Sequence, residues 1–158
     1  MSYKGQFSLD SFELYNLARQ FRIQTYRLIK QLPQEEKYCL GNQMRRAAVS
    51  VTNNIAEGHG RFYFQDNVRF CYIARGSLEE TLSHINYAFK VAYLTDTFYK
   101  NLAADGENLN RLINGYIGFL KKSKQGANEP GANYAIREVP SDYIIETSEA
   151  SSSDSNIE

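Results

Sequence analysis

Gln43-Met44-Arg45-Arg46-Ala47-Ala48-Val49-Ser50-Val51-Thr52-Asn53-Asn54-Ile55-Ala56-Glu57-Gly58 is the stretch whose pattern decides how the rest of the chain is read. At about 3.6 residues per turn, Met44, Ala48, Val51 and Ile55 share one face of a helix. Gln43, Ser50, Asn54 and Glu57 form a polar stripe beside that face. Arg45, Thr52 and Ala56 lie on its other flank. Ser and Asn compete for backbone hydrogen bonds and are poor residues for a helix interior, so something specific uses them here. Gly58-His59-Gly60 then stops the helix.

The same helical period extends in both directions. On the N-terminal side, Leu14, Leu17, Ala18, Phe21, Thr25, Leu28 and Leu32 recur at three- and four-residue steps. They predict a first helix over about 12–31, capped by Ser11 or Asp10 and ended by Pro33. The second helix, which holds the opening stretch, is expected over 34–58. On the C-terminal side, Val68, Cys71, Leu78, Leu82, Ile85, Phe89 and Ala92 predict a third helix over 64–93 with near-heptad spacing. That spacing suits antiparallel packing at small crossing angles. Thr95 offers a cap for a fourth helix over 96–122, whose stripe is Leu102, Leu109, Leu112, Ile113, Tyr116, Ile117 and Leu120. Gly106, Gly115 and Gly118 each weaken it by roughly 1 kcal/mol relative to Ala. They signal either close helix approach or a break near Ala104-Asp105-Gly106. The fold class is therefore all-α: an antiparallel four-helix bundle over residues 1–124.

After Lys124 the pattern changes. Residues 125–158 read as an acidic low-complexity tail, expected to be disordered, because low hydrophobicity with excess charge cannot offset chain entropy. The exception is Tyr143-Ile144-Ile145, an apolar patch able to dock on a partner or on the bundle. The net charge of zero over 158 residues hides this division. Residues 1–124 hold 17 Lys and Arg against 11 Asp and Glu, a balance of +6. Residues 125–158 hold only Arg137 against seven acidic residues, a balance of −6.

No stretch approaches the roughly 18 consecutive apolar residues of a membrane span, and the first residues lack a secretory pattern. The expected location is cytoplasmic, with no membrane partner. Cys39 and Cys71 make neither a disulfide framework nor a zinc site, and read as reduced, partly buried thiols. His59 and His84 have no metal-binding helical spacing. Glu79 and Glu80 face about 100° apart on a helix and read as surface charge. The Glu-x-x-His pairs of di-iron bundles and a phosphate-binding Gly-Lys loop are both missing. The chain is thus expected to be no enzyme and to need no metal or cofactor.

Ala74-Arg75-Gly76-Ser77-Leu78-Glu79-Glu80 repeats the texture of the opening stretch, with Gly and Ser in mid-helix where a second helix can come close. Arg75 falls in the apolar register and is expected to be buried against Glu57 or Glu80. The polar residues allow two readings. One is a network between helices or subunits, formed by Ser50, Asn54, Glu57, Gly58, Arg75, Gly76, Ser77 and Glu80. The other is a ligand or nucleic-acid surface built on Arg45 and Arg46, with Arg61, Arg69, Lys121 and Lys122 as further cations.

Arg45-Arg46-Ala47-Ala48-Val49-Ser50, Asn54-Ile55-Ala56-Glu57-Gly58 and Ala74-Arg75-Gly76-Ser77-Leu78-x-Glu80 together resemble one family in order and spacing. It is the four-helix bundle family encoded in intervening sequences of bacterial 23S ribosomal RNA genes, the S23 ribosomal protein family. The resemblance covers about Phe12 to Lys122. It implies an up-down-up-down bundle that assembles as a ring-like homopentamer. It also implies a distant likeness to the accessory protein of diversity-generating retroelements, which works with a reverse transcriptase and binds nucleic acid. The chain departs from the family at Leu82, where a second acid often stands, and in its acidic tail. Two functions are expected from these readings: a homo-oligomeric module that contacts RNA or DNA through a basic face, or a protein-assembly scaffold with no nucleic-acid contact.

Overall fold

The computed structural model describes residues 8–124 and 126–128. All regular structure among them is helical. A short 3-10 turn, Ser8–Ser11, leads into α1 (Glu13–Gln31), followed by α2 (Gln34–Tyr38), α3 (Leu40–His59), α4 (Phe64–Lys90) and α5 (Asp96–Ser123). The four long helices form the bundle. α3 packs on α1 and α4, and α5 packs on α4 and α1.

Side-chain pairs show that successive long helices run antiparallel. Ser50 meets Ser77 while Gly58 abuts Asn67. Arg75 meets Asn114 while Glu79 meets Asn110. Phe12 stacks on His59 while Arg22 reaches Thr52. The core is built from the apolar stripes: Leu14, Ala18, Phe21 and Leu28 of α1, Met44, Ala48, Val51 and Ile55 of α3, Val68, Cys71, Leu78 and Ile85 of α4, and Leu102, Leu109, Ile113, Ile117 and Leu120 of α5. The hydroxyls of Thr25 and Thr81, also buried, donate to the carbonyls of Phe21 and Ser77 one turn back.

Three expectations are corrected, and the choice left open at Gly106 is resolved as close approach. The expected second helix is two helices, broken at Cys39 (φ −97°, ψ −89°). The break seats Gly41 so tightly that a Cβ there would stand 3.1 Å from Ile29 Cγ2. α1 is not capped by Ser11 or Asp10. Its N-cap is Phe12, which makes no side-chain cap and stacks on His59 at 4.5 Å instead. α4 ends at Lys90, not residue 93, because Ala92 turns left-handed at φ 61° and is exposed rather than buried. α5 is continuous through Ala104-Asp105-Gly106. Gly106 is a close approach instead, where a Cβ would lie 2.4 Å from Leu82 Cδ2. Thr95 caps α5, its hydroxyl oxygen accepting from the Phe98 amide at 3.3 Å. Residues 129–158, with Tyr143-Ile144-Ile145, lie outside the described residues.

Candidate functional site

The polar stripe of α3 is engaged within the chain. The Ser50 and Ser77 hydroxyls lie 2.7 Å apart across the α3–α4 seam. Asn54 Nδ2 donates to the Ser50 carbonyl at 2.8 Å and to its hydroxyl at 3.0 Å. Mid-helix Ser and Asn are thereby satisfied by each other, which removes the usual cost of half-buried polar groups. Farther along the stripe, Glu57 pairs with Arg61, and Gln43 accepts from Arg46. On α4, His84 lies 3.7 Å from Glu80.

The close approach of α3 and α4 falls at Gly58. A Cβ there would stand 2.7 Å from Asn67 Oδ1 and 3.0 Å from Phe70 Cβ. Gly76 was the expected point of approach, yet nothing lies within 4 Å of a Cβ placed there. Its neighbour Ser77 makes the contact, while Gly76 faces outward beside Ile73, which is 42% exposed. Gly115 and Gly118 on α5 are open in the same way.

Arg75 corrects a further expectation. It is half-buried and bound to neither Glu57 nor Glu80, because its position on α4 faces α5 rather than α3. Its guanidinium donates to Asn114 Oδ1 at 2.8 Å and lies over the Tyr72 ring at 5.0 Å. Asn114 Nδ2 donates to Asn110 Oδ1 at 3.3 Å, and Asn110 Nδ2 to Glu79 Oε1 at 3.0 Å. Arg75, Asn114, Asn110 and Glu79 thus form one ladder between α4 and α5. Sequence reasoning missed Asn110 and Asn114. Their signal was two Asn one turn apart in a helix interior, the same signal that Asn54 gave on α3.

The six candidate cations do not form one surface. Arg45 is half-buried and donates to the Lys37 carbonyl at 3.3 Å and to Asn42 at 2.9 Å. Arg46 is exposed on the N-terminal half of α3. The other four lie at the opposite end, where α3 stops, α4 starts and α5 finishes. There Arg61 lies over the Phe70 ring at 5.1 Å and Lys121 over the Tyr72 ring at 5.7 Å. Arg69, Lys122 and Lys124 are exposed at the same end of the bundle, where the acids are Asp10, Glu13, Glu57 and Asp66, with Glu57 paired to Arg61 and Asp10 to Arg19. Phe62 and Phe119 also stand in water at this end, 56% and 62% exposed.

Groups suited to covalent or acid–base chemistry are scattered. His59 is half-buried under Phe12. The hollow at Glu57 is lined by Asn53, Ala56, Gly60 and Arg61, with neither Arg75 nor a histidine. Cys71 is fully buried, and that burial pushes its thiol up to about 12 from 9.0. Cys39 is exposed at the α2–α3 break, not half-buried in a helix as expected. Among the described residues no three His, Cys, Asp or Glu side chains are grouped to hold a metal ion. No helix among them is long and apolar enough to cross a membrane.

Comparison with known proteins adds to this geometry. A family model described as 23S rRNA-intervening sequence protein matches residues 10–115. Among solved structures, the chain is similar to a protein of unknown function from the S23 ribosomal protein family of Bacteroides thetaiotaomicron. The two are 21% identical, the match covers 66% of this chain and 97% of that one, and the TM-score is 0.62. At that identity the likeness speaks for the fold. No curated protein matches the chain.

Proposed function

Because the chain belongs to the 23S rRNA-intervening sequence protein family, we propose that it is a non-enzymatic, homo-oligomeric binding protein that contacts RNA or DNA. The observation that carries this reading is the end of the bundle that holds Arg61, Arg69, Lys121, Lys122 and Lys124. Five cations there face four acids, Asp10, Glu13, Glu57 and Asp66, of which Glu57 is paired with Arg61 and Asp10 with Arg19, and phosphates are the polyanions that an excess of cations attracts. Phe62 and Phe119 add exposed rings on which unpaired bases can stack, which favours single strands. Arg45 and Arg46 contribute less, since Arg45 is held by the Lys37 carbonyl and both lie on the other half of α3.

Self-association is supported by different residues. Gly76, Gly115 and Gly118 leave open space on the outer faces of α4 and α5, and Ile73 stands exposed beside Gly76. Small residues on an outward helix face let a second helix approach closely, and the pentamer suggested by family resemblance would use such a face. This second set also favours the other reading, an assembly scaffold in the cytoplasm that recruits a protein partner and no nucleic acid.

The deciding experiment uses the full chain. Its mass in solution gives the subunit number, and its ultraviolet absorbance ratio after purification at low salt gives the nucleic-acid content. An oligomer carrying RNA or DNA that is shed in high salt is the expected result. An oligomer that neither retains nor rebinds nucleic acid at low salt leaves the scaffold. A monomer sinks both.

A further inference from the structure

The chain turns back on leaving α5. Lys124 takes the left-handed conformation at φ 48°, and its amide donates to the Leu120 carbonyl at 3.1 Å. The Ala127 amide then closes on the Lys124 carbonyl at 3.0 Å. Gly126, at φ 76°, lies so near the α3–α4 connection that a Cβ would stand 2.7 Å from Tyr63 Cδ1 and 3.1 Å from Phe62 Cε1. The backbone needs glycine there on both counts, φ and space. This turn leaves the described chain, through Asn128, at the end of the bundle that carries Arg61, Arg69, Lys121, Lys122 and Lys124 and the exposed rings of Phe62 and Phe119.

The residues that follow contain a matching segment. Asp142-Tyr143-Ile144-Ile145-Glu146-Thr147-Ser148-Glu149 has an apolar centre, three carboxylates and no Lys or Arg. The bundle end offers the exposed rings of Phe62 and Phe119 and a small excess of cations, Arg61, Arg69, Lys121, Lys122 and Lys124 against Asp10, Glu13, Glu57 and Asp66. Asp142 is 14 residues beyond Asn128. For a chain of that length, random-coil statistics give a mean span of about 20 Å, at roughly 5–6 Å times the square root of its length. Tethering at that span raises the effective concentration of the segment at the bundle end to the millimolar range or so. Even a weak complementary contact is then populated, and each carboxylate brought within a Debye length, about 8 Å at physiological salt, adds to it.

We infer that residues 142–149 dock on the Phe62–Phe119 end of their own bundle, with Tyr143, Ile144 and Ile145 covering the exposed rings and Asp142, Glu146 and Glu149 meeting the cations. The segment occupies the surface assigned above to nucleic acid, but the inference does not rest on that assignment. It needs only the exit turn, the exposed rings and the charge.

Zero-length carbodiimide cross-linking of the full chain at low salt tests it, with heavy-isotope and ordinary protein mixed and the linked peptides read by mass spectrometry. The expected result is that Asp142, Glu146 and Glu149 link to Lys121, Lys122 and Lys124 several-fold more than to Lys30, Lys37, Lys90 and Lys100. These links fall within one copy and are lost in high salt. In the full-length variant Tyr143→Ser, Ile144→Ser, Ile145→Ser the preference drops several-fold, because charge alone does not fix the segment on the rings. Links spread evenly over all lysines overturn the inference. So do links that join heavy to ordinary copies, which place the segment on a neighbouring subunit. Failure to bind RNA leaves the cross-linking result standing, so the two readings fail separately.

Discussion

Glycine carries opposite meanings at three positions, and only the neighbours distinguish them. At Gly58 an added methyl meets Asn67 Oδ1 at 2.7 Å and the Asn67 backbone carbonyl at 3.1 Å, and a backbone atom cannot rotate away. Gly58→Ala therefore forces α3 from α4, and the expected loss is about 1–3 kcal/mol, read as a lower urea midpoint. At Gly106 the three nearest atoms all belong to the Leu82 side chain, which can turn, so the same change there costs less. At Gly76 nothing opposes the methyl, and its helix propensity gives a gain of up to about 1 kcal/mol. Loss of the oligomer in Gly76→Ala would mark that face as a subunit contact. The buried thiol of Cys71 gives a pH prediction. Desolvation raises it from 9.0 to about 12. Burial also raises the Tyr116 phenol, against the opposing hydrogen bond from Asn67 and with a smaller contribution from Cys71. The unfolded chain gives up these protons first, so above pH 9 it binds fewer protons than the folded chain. Stability is thus unaffected by these groups below pH 9 and falls as pH rises toward 12, by about 1.4 kcal/mol per pH unit for the thiol. Urea midpoints measured across that range check it, and Cys71→Ala should flatten the slope.

Helix ends were less legible than helix faces, for a physical reason. Apolar periodicity reports which side of a helix is buried, and it placed the core stripes of α1, α3, α4 and α5 because burial obeys the same period. Ends depend on one or two residues, and here those residues are atypical. Cys39 breaks α2 from α3 with no Pro or Gly at the break, and the only hint was Gly41 two positions on, pressed against Ile29. α4 closes with the Tyr93 amide on the Ala88 carbonyl and the Ala92 amide on the Phe89 carbonyl, both at 2.9 Å. That is a Schellman closure with alanine in the left-handed position usually held by glycine. The periodicity therefore ran on through Ala92 with no stop signal. The mismatch predicts that Ala92→Gly stabilises the protein. Relief of the left-handed cost, about 1–2 kcal/mol, exceeds the extra chain entropy of glycine, leaving a gain of about 1 kcal/mol in thermal or urea unfolding. Ala92 is exposed, so no packing is lost in exchange.

For the whole molecule, the sequence separated a basic bundle from an acidic tail but could not say where on the bundle the charge sits. Arg45 and Arg46 drew attention because they are adjacent in the chain, yet adjacent helical residues point about 100° apart. The cations of the other end come from three elements, Arg61 after α3, Arg69 in α4 and Lys121 with Lys122 in α5, and only tertiary packing puts those elements at one end of the bundle. This arrangement makes the salt dependence of binding quantitative. If Arg61, Arg69, Lys121 and Lys122 each neutralise one phosphate of a single strand, the logarithm of the affinity should fall against the logarithm of salt with a slope of about −3. Arg69→Ala with Lys122→Ala removes two of the four contacts and should halve that slope to about −1.5. Arg45→Ala should leave it unchanged, because that guanidinium is already committed to the Lys37 carbonyl and Asn42. Equal losses from all three substitutions would mean that nucleic acid meets the bundle through diffuse charge rather than through one end. Fluorescence titrations of a labelled single strand at four or more salt concentrations separate the two outcomes, since diffuse attraction has no reason to distinguish Lys122 from Arg45.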